Sequence, residues 1–168
     1  MNSKWTELLN NDDFLGIKKY LKTDGDISEV NDAGEGVLAC AIRARCDFDT
    51  LMLLIEFGAD PFDFDDEGVS VFDIAITYDN REIVKYLIEK GRDVNQTTRR
   101  SGFTPLMAAA CYGRAEIAKI LVENGVNQDA KDSKGFTAAD FARKMNKKSV
   151  LEVLDYDEDT PKNTNYAR

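Results

Sequence analysis

Glycines return along this chain at a fixed interval, and that interval limits the possible folds more than any other feature. Gly34, Gly68, Gly102 and Gly135 stand 34, 34 and 33 residues apart, and a second series, Gly25, Gly58, Gly91 and Gly125, stands 33, 33 and 34 apart. Two independent markers with one period mean that a single supersecondary unit is repeated, each copy burying its apolar side against the next. The segment RSGFTPLMAAACYGRAEIAKILVENGVN aligns in phase with DEGVSVFDIAITYDNREIVKYLIEKGRDVN and SKGFTAADFARKMNKKSVLEVL, and more loosely with DAGEGVLACAIRARCDFDTLMLLIEFGAD.

Each copy contains the same physical parts, clearest in the third. Thr104 is placed to cap a helix, with Pro105 in the first turn, where no backbone partner is lost. Leu106, Ala109 and Ala110 follow at helical spacing, and the small alanines let a neighbouring helix approach closely. The chain turns at Gly113, and a second helix presents Ile117, Ile120 and Leu121 on one face before ending at Gly125. In the second copy Asp79 and Glu82 are expected to form a capping box for the equivalent helix. The connections from Asp63 to Glu67 and from Asn95 to Ser101 are polar and turn-rich, as projecting hairpins would be. Phe62 and Phe64, alternating with Asp63 and Asp65, are expected to pack beneath the first long hairpin, the alternative being that they reach outward as contacts. One extra residue near Cys46 and Asp47 should widen the inter-helix turn of the first copy, and the connection from Gly91 to Gly102 is also one residue longer than its neighbours.

The pattern resembles the ankyrin repeat, whose motif runs G-x-T-P-L-H-x-A-A and closes on G-A-D-V-N. GFTPLMAAA carries the first half best, and Gly58, Ala59 and Asp60 the second. The other copies read GVLA, SVFD and TAAD, so the family histidine is missing throughout and the hydrogen bonding of that turn is expected to be altered. The resemblance implies an all-α solenoid of helix-turn-helix units joined by projecting hairpins. Four repeats are expected, over residues 31–63, 64–97, 98–130 and 131–154, after a degenerate N-terminal cap repeat over residues 1–30. In the cap Trp5, Leu8, Leu9, Phe14, Ile17, Tyr20 and Leu21 form apolar faces while Lys18, Lys19 and Lys22 face water. Val150, Leu151, Val153 and Leu154 close the other end, and residues 155–168 are too polar to fold and are expected to form a disordered tail.

Charge and composition narrow the function. The net charge is minus nine, from 22 basic and 31 acidic residues, which disfavours nucleic acid and anionic membranes as partners. Histidine is absent, so its proton-transfer and metal-binding chemistry is absent too. Three cysteines at unrelated spacings, Cys40, Cys46 and Cys111, suit a reducing cytoplasm, and the opening stretch MNSKWTELLNNDD lacks the features of an export signal. The run Asp60, Asp63, Asp65, Asp66, Glu67 lacks the spacing of a calcium loop and is expected to be a solvated acidic tip. With no phosphate-cradling loop and no nucleophile beside a base, no catalytic residue and no metal ligand is expected.

A monomeric, non-catalytic protein-binding module is therefore the expectation. By the ankyrin resemblance, Cys111 and Tyr112 face the concave groove, and Tyr78, Phe103 and Phe136 project onto that face or its hairpins, where aromatic anchors form binding hot spots. Asp66, Glu67, Arg100 and Lys134 are expected to steer a partner from the tips, because the earlier loops, with Asp32 and Glu35, are acidic and the later ones, with Arg99 and Lys131, are basic. The alternative is an accessory role in delivering haem to an enzyme such as catalase. Small bacterial stand-alone stacks of this type supply that resemblance, and Tyr78, Tyr112 or Cys111 would be the axial ligand.

Overall fold

The computed structural model describes residues 1–154, so the tail expected over residues 155–168 lies outside the described residues. The helices are α1 (Ser3–Asn10), α2 (Phe14–Thr23), α3 (Val37–Arg43), α4 (Phe48–Glu56), α5 (Val71–Thr77), α6 (Arg81–Glu89), α7 (Pro105–Tyr112), α8 (Ala115–Glu123), α9 (Ala138–Lys144) and α10 (Lys148–Val153). Among the described residues extended pairing is limited to two isolated bridges, Val30 with Gly36 and Phe64 with Ser70, at the bases of hairpin loops. The fold is all-α, built of antiparallel helical hairpins. It forms two compact units, Met1–Ile83 and the remainder from Val84 onward.

Each helical hairpin turns on one residue in the left-handed region. These are Asp12, Arg45, Asp79, Gly113 and Asn146, at φ of 46°, 61°, 54°, 68° and 55°. Their spacing of 33, 34, 34 and 33 residues reproduces the repeat period, although only one of the five is glycine. Asp79 therefore does not cap α6 as the Asp79 and Glu82 pattern suggested. The turn places Asn80 at the helix start, where its Oδ1 accepts from the Ile83 amide at 3.2 Å, while Asp79 pairs with Arg81.

The helix starts after each loop show what replaces the missing histidine. Ser70 caps α5 by accepting from the Asp73 amide, and the Asp73 carboxylate accepts in return from the Ser70 amide at 3.0 Å. Thr137 and Asp140 repeat that exchange at α9, and Arg143 neutralises Asp140 at 3.2 Å. An acidic group in the first turn also favours the positive end of the helix dipole. At α7 the Met107 sulfur accepts from the Thr104 amide at 3.4 Å, and at α3 Gly36 offers no side-chain cap. The hydrogen bonding is altered, as expected, but three of these four starts remain capped.

In the first unit the core is Trp5, Leu8, Leu9, Ile17, Leu38, Ile42, Leu51, Leu54, Phe72 and Ile76, all buried. The added residue, Asp47, widens the turn between α3 and α4. Asp12 from the preceding helical hairpin secures it, accepting from the Asp47 amide at 3.0 Å and the Thr50 hydroxyl at 2.7 Å. The α4 start thus has no cap of its own and uses a carboxylate one repeat away. Next to it the Cys46 thiol donates to the Leu9 carbonyl at 3.2 Å. In the second unit α7 is buried from Pro105 through Ala110, with α9 packed along its alanines. The longer connection there is braced by the Arg92 guanidinium, which donates to the carbonyls of Asp93 and Gln96 at 2.7 and 3.0 Å.

Candidate functional site

The aromatic residues of the second unit come together around one that sequence reading missed. Phe103 lies just ahead of the α7 cap, with its carbonyl held by the Thr97 hydroxyl at 2.7 Å. Its ring meets Phe141 edge-to-face at 5.4 Å between centroids, and Phe136 meets the same ring at 6.0 Å. The Arg99 guanidinium lies 4.8 Å from the Phe103 centroid, within cation-π range. Phe141 joins the row from within α9, while Phe136 lies ahead of the Thr137 cap, so their meeting depends on the turn between them and was not legible as a helical spacing. Arg99 is thus half-buried against a ring rather than a free charge at the tip, whereas Arg100, Lys131 and Lys134 are exposed.

Cys111 and Tyr112 occupy the last turn of α7. Tyr112 is 50% exposed, and Cys111 is half-buried. Burial pushes the Cys111 thiol up, against a smaller opposing pull from Arg99 and Lys144. That direction disfavours the thiolate a metal or haem iron would need. The other thiols are still less reactive: burial, aided by Glu35, pushes Cys40 up to about 11, and burial, aided by Asp12, pushes Cys46 up to about 12.

In the first unit Tyr78 follows α5, and its hydroxyl accepts from Arg43 at 3.3 Å. The guanidinium carbons of Arg43 and Arg45 lie 5.6 and 5.4 Å from its ring centroid. Asp66 and Glu67 are exposed at the second hairpin tip, where Asp65 Oδ1 closes the turn by accepting from the Glu67 and Val69 amides. The Asp66 carboxyl lies against the neighbouring tip, so that a Cβ at Gly34 would stand 2.6 Å from its oxygen.

Two expectations fail here for physical reasons. Glu35 is not a solvated tip charge: it is 7% exposed, accepting from Arg43 Nε at 2.7 Å and from the Asn31 side chain at 2.8 Å. Its partner comes from the helix eight residues on, which loop composition does not reveal. Phe62 and Phe64 do not pack beneath the hairpin but are 42% and 53% exposed. The neighbouring aspartates fold back onto the backbone instead, Asp60 accepting from the Phe62 amide and Asp63 from the Phe64 amide, each at 2.9 Å.

Charge separates the units more sharply than the loops alone suggested. Residues 1–83 hold 19 acidic and 7 basic side chains, a net of minus twelve, whereas residues 84–168 hold 12 and 15, a net of plus three. Among the described residues no helix is long and apolar enough to cross a membrane.

The family profile described as "Ankyrin repeats (3 copies)" matches residues 8–98 and again 96–164. The chain is also 40% identical over 104 residues to E3 ubiquitin-protein ligase hecd-1 of Caenorhabditis elegans, and 42% identical over 103 residues to E3 ubiquitin-protein ligase Ufd4 of Drosophila melanogaster. Each match covers 61% of this chain but only 4% of the relative. Protein phosphatase 1 regulatory subunit 12A of Mus musculus is 37% identical over 75 residues, covering 45% of the chain and 7% of the relative.

Proposed function

Because the chain belongs to the ankyrin-repeat family, whose repeats generally act as protein–protein interaction modules, we propose that it binds a partner protein without catalysis, through its inner helices and hairpin tips. Tyr78, Phe103, Cys111, Tyr112 and Phe136 act as contact residues, and Asp66, Glu67, Arg100 and Lys134 set the approach by charge. The observation that carries this reading is the row Phe103, Phe141 and Phe136 in the second unit, which also holds the exposed Tyr112 at the end of α7. Rigid aromatic groups held edge-to-face lose little entropy on binding, and such groups supply most hot spots. The ligase activity named for two relatives does not transfer, because the shared segment is 4% of their length.

The test is capture of the partner from the native source, identification by mass spectrometry, and binding kinetics with variants shown by circular dichroism to be folded. Phe103→Ala and Tyr112→Ala should each weaken the complex by about 2 kcal/mol, or roughly thirtyfold. Arg100→Glu should lower the association rate, with an effect that fades as salt rises. Lys18→Glu, exposed on α2, should be silent. If the aromatic variants bind like wild type and Lys18→Glu does not, recognition belongs to the N-terminal cap.

A further inference from the structure

We propose that the first unit carries a recessed socket for one large apolar side chain of a basic partner segment. The socket rests on the protein-binding reading but uses other residues. It is a cleft of about 270 Å³ running from the Ile27 to Val30 segment across the starts of α3 and α5 to the second hairpin. Val37, Leu38, Val71 and Ile74 line its interior, and Val30 and Phe64, 48% and 53% exposed, stand at its mouth. That volume is at the lower limit of sites for whole small molecules, about 300 Å³, and suits a single side chain.

The loop before α3 forms one wall of the cleft. Asp26 accepts from the Ser28 amide as Asp93 does from the Asn95 amide, so the half-buried Ile27 holds the register of Val94, which is 6% exposed. Ser28 stands beside it on the wall, with its hydroxyl donating to Asp26 at 2.6 Å.

Charge selects the occupant. Residues 46–80 contain ten acidic side chains and no lysine or arginine. Asp60, Asp63 and Asp65 line the cleft, and Asp66 and Glu67 lie exposed on the same hairpin. Glu35 on the wall is neutralised by Arg43, but the hydrogen bonds made by Asp60, Asp63 and Asp65 are to backbone amides, which leave their charge in place. A second copy of this surface would be repelled by like charge, as would an anionic lipid or nucleic acid. A lysine- or arginine-flanked leucine, methionine or phenylalanine satisfies both the apolar interior and the acidic mouth.

The experiment uses the full chain and two labelled heptapeptides, each with three basic residues on either side of a central leucine or a central serine. The leucine peptide should bind saturably and at least about tenfold more tightly than the serine peptide, the ratio expected for burying one leucine. Methyl resonances of Val37, Val71 and Ile74 should shift on titration. Phe64→Ser, at an exposed position, and Ser28→Val, which adds apolar volume to the wall, should each remove the leucine preference. Equal binding of the two peptides, no binding at millimolar concentration, shifts confined to residues after Val84, or a preference unchanged by both variants would overturn the socket. Such a failure beside intact sensitivity of the captured partner to Phe103→Ala would leave the general binding role standing.

Discussion

The two units are built on one repeat frame but solve its problems with different chemistry. The second keeps a proline at the first turn of α7, a glycine at the turn that follows and a helix of buried alanines between them. The first has a widened turn, held by a carboxylate from the neighbouring repeat, and turns Phe62 and Phe64 outward. The difference teaches that the frame tolerates large changes in letters wherever each buried amide still finds an acceptor. It also separates two tasks: close apolar packing in the second unit, and an uncompensated acidic surface with an open cleft in the first.

The strongest way to break that contrast is to truncate matching core leucines. Leu106→Ala removes a side chain 1% exposed, among neighbours that include Ala109 and Ala110 at 0%. The surroundings have little freedom to collapse, so the loss should be about 3 to 5 kcal/mol in denaturant titrations. Leu38 stands at the same helix register, 2% exposed, but lines the cleft of the first unit. Its truncation enlarges a space that already opens to water, and should fall nearer about 2 kcal/mol. A larger loss for Leu38→Ala would mean that the first unit is the tightly packed one.

The period, the helix pairs, the cap at Thr104 and the buried faces were legible because each is a local pattern repeated in phase. What was not legible depends on distance or on a single backbone angle. The change of cap from Asp79 to Asn80 follows from Asp79 adopting a φ of 54°, which letters alone do not reveal. Glu35 finds Arg43, and Asp12 reaches Asp47 and Thr50, across separations that local reading does not span. Phe141 meets Phe136 across the Thr137 cap and Phe103 from another helix start, contacts that helical spacing alone does not show.

The contrast sharpens at Asp12. Asp12→Ala removes the acceptor for the Asp47 amide and the Thr50 hydroxyl and puts alanine at a φ of 46°. A loss of about 2 kcal/mol is expected, in the upper range for helix caps. Asp12→Asn keeps one oxygen and tolerates the left-handed conformation, and should lose about half as much. Thermal or denaturant midpoints in which both variants match wild type would show that the widened turn holds without its neighbour.

The smallest expected effects test whether the left-handed turns are equivalent across the two units. Gly113→Ala places a Cβ at a φ of 68°, where a residue other than glycine is strained, and 2.9 Å from the Lys147 side chain. The lysine can swing aside, so the backbone strain dominates and the loss should be about 1 kcal/mol. Arg45 holds the same position in the first unit at a φ of 61°. Arg45→Gly relieves comparable strain but loosens the unfolded chain and removes a guanidinium stacked 5.4 Å from the Tyr78 ring centroid. Those losses offset the relief, each being about 0.5 to 1 kcal/mol, so the midpoint should stay close to wild type. Arg45→Gly in a Tyr78→Leu background separates the opposing effects, because the stacking is already gone and the change should become more favourable. If it stays neutral there, the Arg45 turn carries no strain to relieve, and the regular and irregular units differ in backbone as well as in side chains.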